Sequence, residues 1–149
     1  DVSYMTQLGD DANSDYILSS IKTESINSEY IFKLTGRTPG LYMIENDSSG
    51  ERNFSYWRDQ SPARDLFDQP LTVNQLGICE EDIFYFSGIS LAVMQSGLEN
   101  LTALLSELHE QNTAVVFDPN YRPLLWQKTD LGPFDADRYS CPVVHRGLG

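Results

Sequence analysis

The stretch "NFSYWRDQS", residues 53–61, sets Phe54, Tyr56 and Arg58 at every second position. In an extended strand these three side chains leave from one face, because successive residues alternate sides. One consequence is an amphipathic strand whose arginine reaches back to water along its alkyl stem. Another is a binding face, with rings to pack on a polar ligand and a guanidinium fork that matches a carboxylate. A second candidate is "VVFDPNYRPLLW", which sets Asp118, Asn120 and Arg122 in the loop after an apolar run, with Pro119 and Pro123 stiffening it. Alone, that loop also reads as an Asx turn followed by a surface arginine. A third is "YFSGIS", where Ser87 and Ser90 offer hydroxyls and Gly88 permits close backbone approach.

These residues need a frame that holds them. "VSYMTQLG" reads as a short strand ending at Gly9, followed by a helix over "SDYILSSIKTE" with Ile17 and Ile21 on one face and capping residues in "DDANSD". "EYIFKL" is a second strand. "GLYMIE" and "RNFSYWR" are strands joined by "NDSSGE", a hairpin signal with Gly50 in the turn. After a short helical turn at "SPARDLF" comes "EDIFYFSGIS", expected as a buried strand that breaks at Gly88. "GLENLTALLSELHEQN" is the clearest helix, with an apolar stripe of Leu98, Leu101, Leu105 and Leu108 and with Glu99, Glu107 and Glu110 free to face water. "TAVVFD" follows as a continuous apolar strand of the kind found mid-sheet. The order strand, helix, strand, hairpin, strand, helix, strand predicts an α/β fold with an inserted β-hairpin. In open α/β sheets ligands lie beyond the carboxyl ends of the strands, which is where "FSGIS" and "DPNYR" fall.

Composition narrows the function classes. The 149 residues fit a domain of ordinary size with a real core, and 40% hydrophobic and 21% charged residues are globular values. A net charge of −12 argues against nucleic acid and against an anionic membrane surface as partners, yet leaves room for a small anion gripped by a local arginine. With no long apolar run and no secretory pattern, Cys79 and Cys141 read as reduced thiols of a cytoplasmic protein, and the sequons at Asn46, Asn53 and Asn100 as chance. His109, at the end of the leucine helix, suits the negative pole of the helix dipole, and His145 is given no role. No His/Cys cluster points to a metal.

The segments "GRTPGLYMIENDSSGERNFSYWRDQSPAR", "YFSGIS" and "VVFDPNYRPLLW", in that order, resemble the 2-keto-3-deoxygluconate kinases among the ribokinase-like (PfkB) carbohydrate kinases, from about Val2 to Trp126. "GDD" at Gly9–Asp11 is similar to the family's "GxD". The resemblance implies a partial ribokinase-like, doubly wound sheet over residues 1–126 with the hairpin, about 38–60, as a lid over the sugar. It implies Tyr42, Tyr56 and Arg58 as substrate contacts from the lid and Arg122 as one from the core, with Ser90, Asp118 and Asn120 in support. It further implies ATP and Mg²⁺, a sugar-acid substrate phosphorylated at its terminal hydroxyl, and a homo-oligomer through lid or core edges.

The sequence departs from the family in two places. The family's early Gly-Gly and Asn sugar-binding segment is absent, and no "GxGD" occurs in the 149 residues, so no catalytic base is assigned. "DVSYMTQLGDD" begins as if inside a fold, which suggests a missing N-terminal portion. Residues 127–149 read as an atypical tail, for which a frame change near Trp126 would account. Beside the sugar-acid kinase stand two alternatives: a catalytically inactive fragment serving as a binding or structural module, and a kinase for another sugar.

Overall fold

A computed structural model describes residues 1–126, which divide into two compact units, Asp1–Leu66 and a second beginning at Phe67. In the first unit, strand β1 (Thr6–Leu8) leads into helix α1 (Ala12–Thr23) and then strand β2 (Ile31–Lys33). β1 and β2 run parallel, with Thr6 opposite Ile31 and Leu8 opposite Lys33. Parallel neighbours need a crossover, and α1 is that crossover. The helix starts where Asp11, in an extended conformation, accepts a hydrogen bond from the Ser14 amide at 2.9 Å. Beyond its end Ser25 takes a left-handed φ of 59°. Ile17 and Ile21, expected to share the helix's inner face, are half-buried, while Ser14 is the helix residue fully removed from water.

The hairpin follows as β3 (Leu41–Asn46) and β4 (Arg52–Trp57), antiparallel from Leu41 opposite Trp57 to Asn46 opposite Arg52. Its turn is built by one carboxylate: Asp47 Oδ1 accepts from the amides of Ser49 and Glu51 at 2.8 and 2.9 Å and from the Ser49 hydroxyl. Gly50 supplies the left-handed corner, with φ 84°. A 3-10 turn at Pro62–Asp65 closes the unit.

The second unit holds helix α2 (Val73–Leu76), strand β5 (Ile83–Ser87), helix α3 (Gly88–Val93), helix α4 (Leu98–Glu110), strand β6 (Ala114–Asp118) and helix α5 (Pro123–Trp126). β5 and β6 are parallel, from Ile83 opposite Ala114 to Ser87 opposite Asp118. The core is leucine-rich: Leu91, Leu101, Leu104 and Leu108 are almost wholly enclosed, with Val73, Leu76, Phe67 and Phe86 around them. Leu104 was absent from the expected stripe, in which Leu98 is only half-buried. With 3.6 residues per turn, positions 101, 104, 105 and 108 share the inner face better than a strict four-residue ladder from 98. Glu107 is half-buried rather than simply facing water; its Oε2 accepts from the Val73 amide at 2.9 Å and helps cap α2 beside a Thr72–Gln75 capping box.

Two strands differ from expectation. β5 is not buried throughout: Phe86 is enclosed, whereas Ile83 and Tyr85 are 69% and 60% exposed, because alternate side chains leave on opposite faces. β6 is not mid-sheet among the described residues, where it pairs with β5 alone. Among the described residues the strands pair as three two-stranded sheets, small parts of the partial sheet expected. The tail expected over 127–149, with Cys141 and His145, lies outside the described residues. Among the described residues no helix is long and apolar enough to cross a membrane.

Candidate functional site

The hairpin places its rings as the alternation requires. Tyr42 lies opposite Tyr56 and Ile44 opposite Phe54, so Tyr42, Ile44, Phe54 and Tyr56 share one face. The Phe54 and Tyr56 rings stack at 6.1 Å and 10°, and Tyr42 reaches Tyr56 at 6.4 Å across the ladder. Arg58 continues the same face beyond the strand, its guanidinium carbon 4.4 Å from the Tyr56 ring centroid. That is cation–π distance, and it holds the fork over a ring instead of leaving it to sweep through water. Tyr42 and Tyr56 are 60% and 52% exposed, and among the described residues Arg58 makes no ion pair. The arrangement is a ridge of phenol hydroxyls ending in an uncompensated positive charge. Chemically it suits a polar molecule that carries hydroxyls and one carboxylate.

The opposite face of the hairpin is apolar as well, with Leu41, Met43 and Trp57 exposed. The sequence reading assigned nothing to these three. Their alternation in "LYM" and "YWR" was the signal, masked because aromatic residues occupy both phases.

The "GDD" motif proves to be an anchor for the chain entering the hairpin. Asp11 Oδ2 accepts from the Thr38 hydroxyl at 2.7 Å while Oδ1 caps α1. Hydrogen bonds from Ser14, and next from Thr38, hold the Asp11 carboxyl at about 2, below its ordinary 3.8. Asp10 Oδ1 accepts from the Gly36 amide at 2.9 Å.

In the second unit, the register that pairs Ser87 with Asp118 sets the carboxyl ends of β5 and β6 side by side. Gly88 is buried and opens α3, on whose first turn the half-buried Ser90 stands. Asp118 is engaged through both oxygens: Oδ2 accepts from the Tyr85 hydroxyl and Oδ1 from the Asn120 amide, each at 3.1 Å. The Tyr85 phenol is pushed up by its bond to that carboxylate. Asn120 sits at φ 30°, a left-handed conformation asparagine tolerates, and its Oδ1 accepts from Arg122 Nε at 3.1 Å. Asp118, Asn120 and Arg122 are therefore one linked loop: the Asx turn is present, and it aims the arginine. Arg122 makes no ion pair among the described residues. The structure thus gathers the expected residues into two sets, Tyr42 with Tyr56 and Arg58 in the first unit, and Asp118 with Asn120 and Arg122 in the second.

The model of the pfkB family of carbohydrate kinases matches residues 1–134. The chain is 39% identical over 148 residues to a 2-dehydro-3-deoxygluconokinase of Dickeya dadantii, spanning 97% of this chain and 47% of that protein. It is 40% identical over 130 residues to the protein of that name from Escherichia coli K12, covering 84% of this chain and 41% of the relative. The chain thus spans about half the length of the curated relatives it matches. In fold it is similar to a PfkB carbohydrate kinase from Listeria grayi, at TM-score 0.70 and 17% identity over 83% of this chain and 38% of that one. A 2-dehydro-3-deoxygluconokinase from Thermotoga maritima aligns at TM-score 0.68 and 24% identity, again over 83% and 38%. A sugar kinase from Pyrococcus horikoshii, solved in complex with ATP, aligns at TM-score 0.64 and 20% identity over 85% and 40%. The α/β, ribokinase-like fold expected from the sequence is the fold these structures share. This chain belongs to the pfkB family of carbohydrate kinases.

Proposed function

We propose that this chain binds 2-keto-3-deoxygluconate, also called 2-dehydro-3-deoxygluconate, and serves its ATP-dependent phosphorylation at the terminal hydroxyl in the cytoplasm. The observation that carries the substrate class is Arg58, unpaired by any carboxylate among the described residues and stacked on Tyr56 at the end of a tyrosine ridge. A sugar acid supplies the missing carboxylate to the guanidinium fork, and its hydroxyls meet Tyr42 and Tyr56. Arg122, aimed by Asn120 and Asp118, serves as the second cationic contact, and Ser90 as a hydroxyl partner. The hairpin acts as a lid: by excluding water it removes the competing acceptor for the phosphoryl group. Relatives at 37–40% identity carry the sugar-acid kinase name, whereas a relative named a probable fructokinase, from Arabidopsis thaliana, is 28% identical.

The described residues offer no ready seat for a divalent metal. No group of three or more His, Cys, Asp or Glu side chains converges among them, and the 149 residues contain no "GxGD". Both Asp118 oxygens are engaged in holding the loop, Oδ2 accepting from the Tyr85 hydroxyl and Oδ1 from the Asn120 amide, so the carboxylate serves there as a structural acceptor. That observation favours, as second reading, a sugar-acid-binding module without turnover of its own. Assembly into a homo-oligomer through the exposed hairpin edges is part of the proposal.

Calorimetric titration with 2-keto-3-deoxygluconate and with fructose, on the native chain and on Arg58→Gln, tests the reading. Loss of one charge-assisted contact, about 1.5–3 kcal/mol, predicts roughly 10- to 150-fold weaker binding of the acid and little change for fructose. Equal affinity for the two sugars, or an unaffected variant, would reject the sugar-acid assignment. ADP release with ATP and Mg²⁺ then separates a kinase from a binding module.

A further inference from the structure

We propose that Arg37 is a positioning residue for Arg58, clamping the open end of the β3–β4 hairpin and thereby setting where the Arg58 guanidinium stands; the functional meaning of this clamp rests on the sugar-acid reading above. The need for a clamp follows from exposure. Every residue of β3, and every residue of β4 except Ser55, is exposed, so burial does not hold the hairpin in one direction. Its orientation has to be set at its base.

Arg37 is built for that task. Its Nε donates to the Gln60 carbonyl at 2.9 Å, and its Nη2 lies 2.9 Å from Asp65 Oδ2. Both bonds leave one planar fork and land on the chain just past Arg58. The Arg37–Asp65 side chains are 32% and 27% exposed, against 45% and 64% for the open surface pair of Lys33 with Asp15, so water screens the clamp less. The residue is also a fixed post. Its neighbours Gly36 and Thr38 are bonded to Asp10 and Asp11, and its own carbonyl presses so closely on Gly9 that a Cβ there would lie 1.8 Å from the oxygen. Where the two chains meet, Gly40 faces Arg58: a Cβ on residue 40 would lie 3.0 Å from Arg58 Cβ and 3.5 Å from Ser61 Cβ. Arg58 is in turn held from below by the Ser61 amide, which donates to its carbonyl at 3.1 Å. Lysine cannot reproduce the clamp, because one ammonium on a flexible stem does not offer two parallel donors in a plane.

The test uses the full chain with Arg37→Ala, Arg37→Lys and Asp65→Asn. Amide hydrogen exchange of Ser61, read without any ligand, is expected to quicken about tenfold in Arg37→Ala and less in Asp65→Asn, while the α1 amides keep their native rates. Binding of 2-keto-3-deoxygluconate is expected to weaken about tenfold with fructose binding unchanged, and Arg37→Ala combined with Arg58→Gln is expected to bind no more weakly than Arg58→Gln alone. Should Arg37→Ala fail to fold, Arg37→Lys and Asp65→Asn carry the same comparison. Unchanged Ser61 exchange in these variants, or equal losses for both sugars, overturns the proposal. If the native chain binds no sugar acid, the functional reading fails, and the exchange measurement still decides whether Arg37 holds Arg58.

Discussion

Replacing Gly9 by alanine is the most direct probe of the contact on which the hairpin base stands. The added Cβ would lie 1.8 Å from the Arg37 carbonyl oxygen and 2.6 Å from its carbon, with Ser14 Oγ at 3.1 Å. Ordinary non-bonded carbon contacts lie at about 3.5–4.0 Å, so the two backbones must part by roughly 1.5 Å. No flexible side chain can absorb that movement. The segment that would move carries the Gly36–Asp10 and Thr38–Asp11 hydrogen bonds, both under 3 Å. Overpacking costs about 1–3 kcal/mol in general, and a rigid backbone neighbour places this case near 3. Stiffening of the unfolded chain by alanine offsets about 0.4–1 kcal/mol, leaving a loss of roughly 2 kcal/mol or more. With a urea slope of about 1.5 kcal/mol per molar, the midpoint falls by roughly 1.3 M or more. The assay is urea unfolding followed at amide signals of β1 and β2, so that only the unit containing Gly9 is read. Gly36→Ala is the control: it has open space, a φ of 74°, and thus only the left-handed cost of about 1 kcal/mol. A Gly9→Ala loss equal to or smaller than that of Gly36→Ala would refute the close-approach argument.

Two further outcomes are expected. Leu104→Ala, at a position with no exposed surface, is expected to cost about 2–5 kcal/mol and to exceed Leu98→Ala at its half-buried site, measured by urea unfolding at amides of β5 and β6. The Asp11 carboxyl, held at about 2 in the folded chain, binds protons later than in the unfolded one; its stabilisation is fully present above 3.8 and is lost as pH falls through about 2. Carboxyl carbon shifts of Asp11 should therefore titrate near 2 in the native chain and higher in Thr38→Val, and an unshifted titration would remove Thr38 from the anchor.

Much of the fold was legible along the chain. The hairpin appears where "GLYMIE" and "RNFSYWR" flank a glycine-containing turn, because turn chemistry and period-two alternation act over neighbouring residues. The leucine helix was equally plain, although its buried row ran through Leu104, and Glu107 turned inward to cap α2. Both departures come from partners distant in sequence, which a one-dimensional pattern does not contain. In the same way, burial of β5 could not be judged from an apolar run, since whether both faces are covered depends on what the rest of the chain lays against them.

For the candidate site, residue order carries the ingredients: the phase of Tyr42, Tyr56 and Arg58, the Asx loop of Asp118 and Asn120 that precedes Arg122, and the family to which those motifs belong. These are local properties, written in spacing and residue type. Folding adds what that order does not hold: Arg58 lies over the Tyr56 ring, Asp118 accepts from both Tyr85 and Asn120, and Arg37 ties the two ends of the hairpin together. Arg37 carried no spacing signal, because its partners lie 23 residues away at Gln60 and farther still at Asp65. A hydrogen bond or close packing between distant segments exists only once the chain has brought them together, and residue order alone does not show which of many compatible pairs will meet.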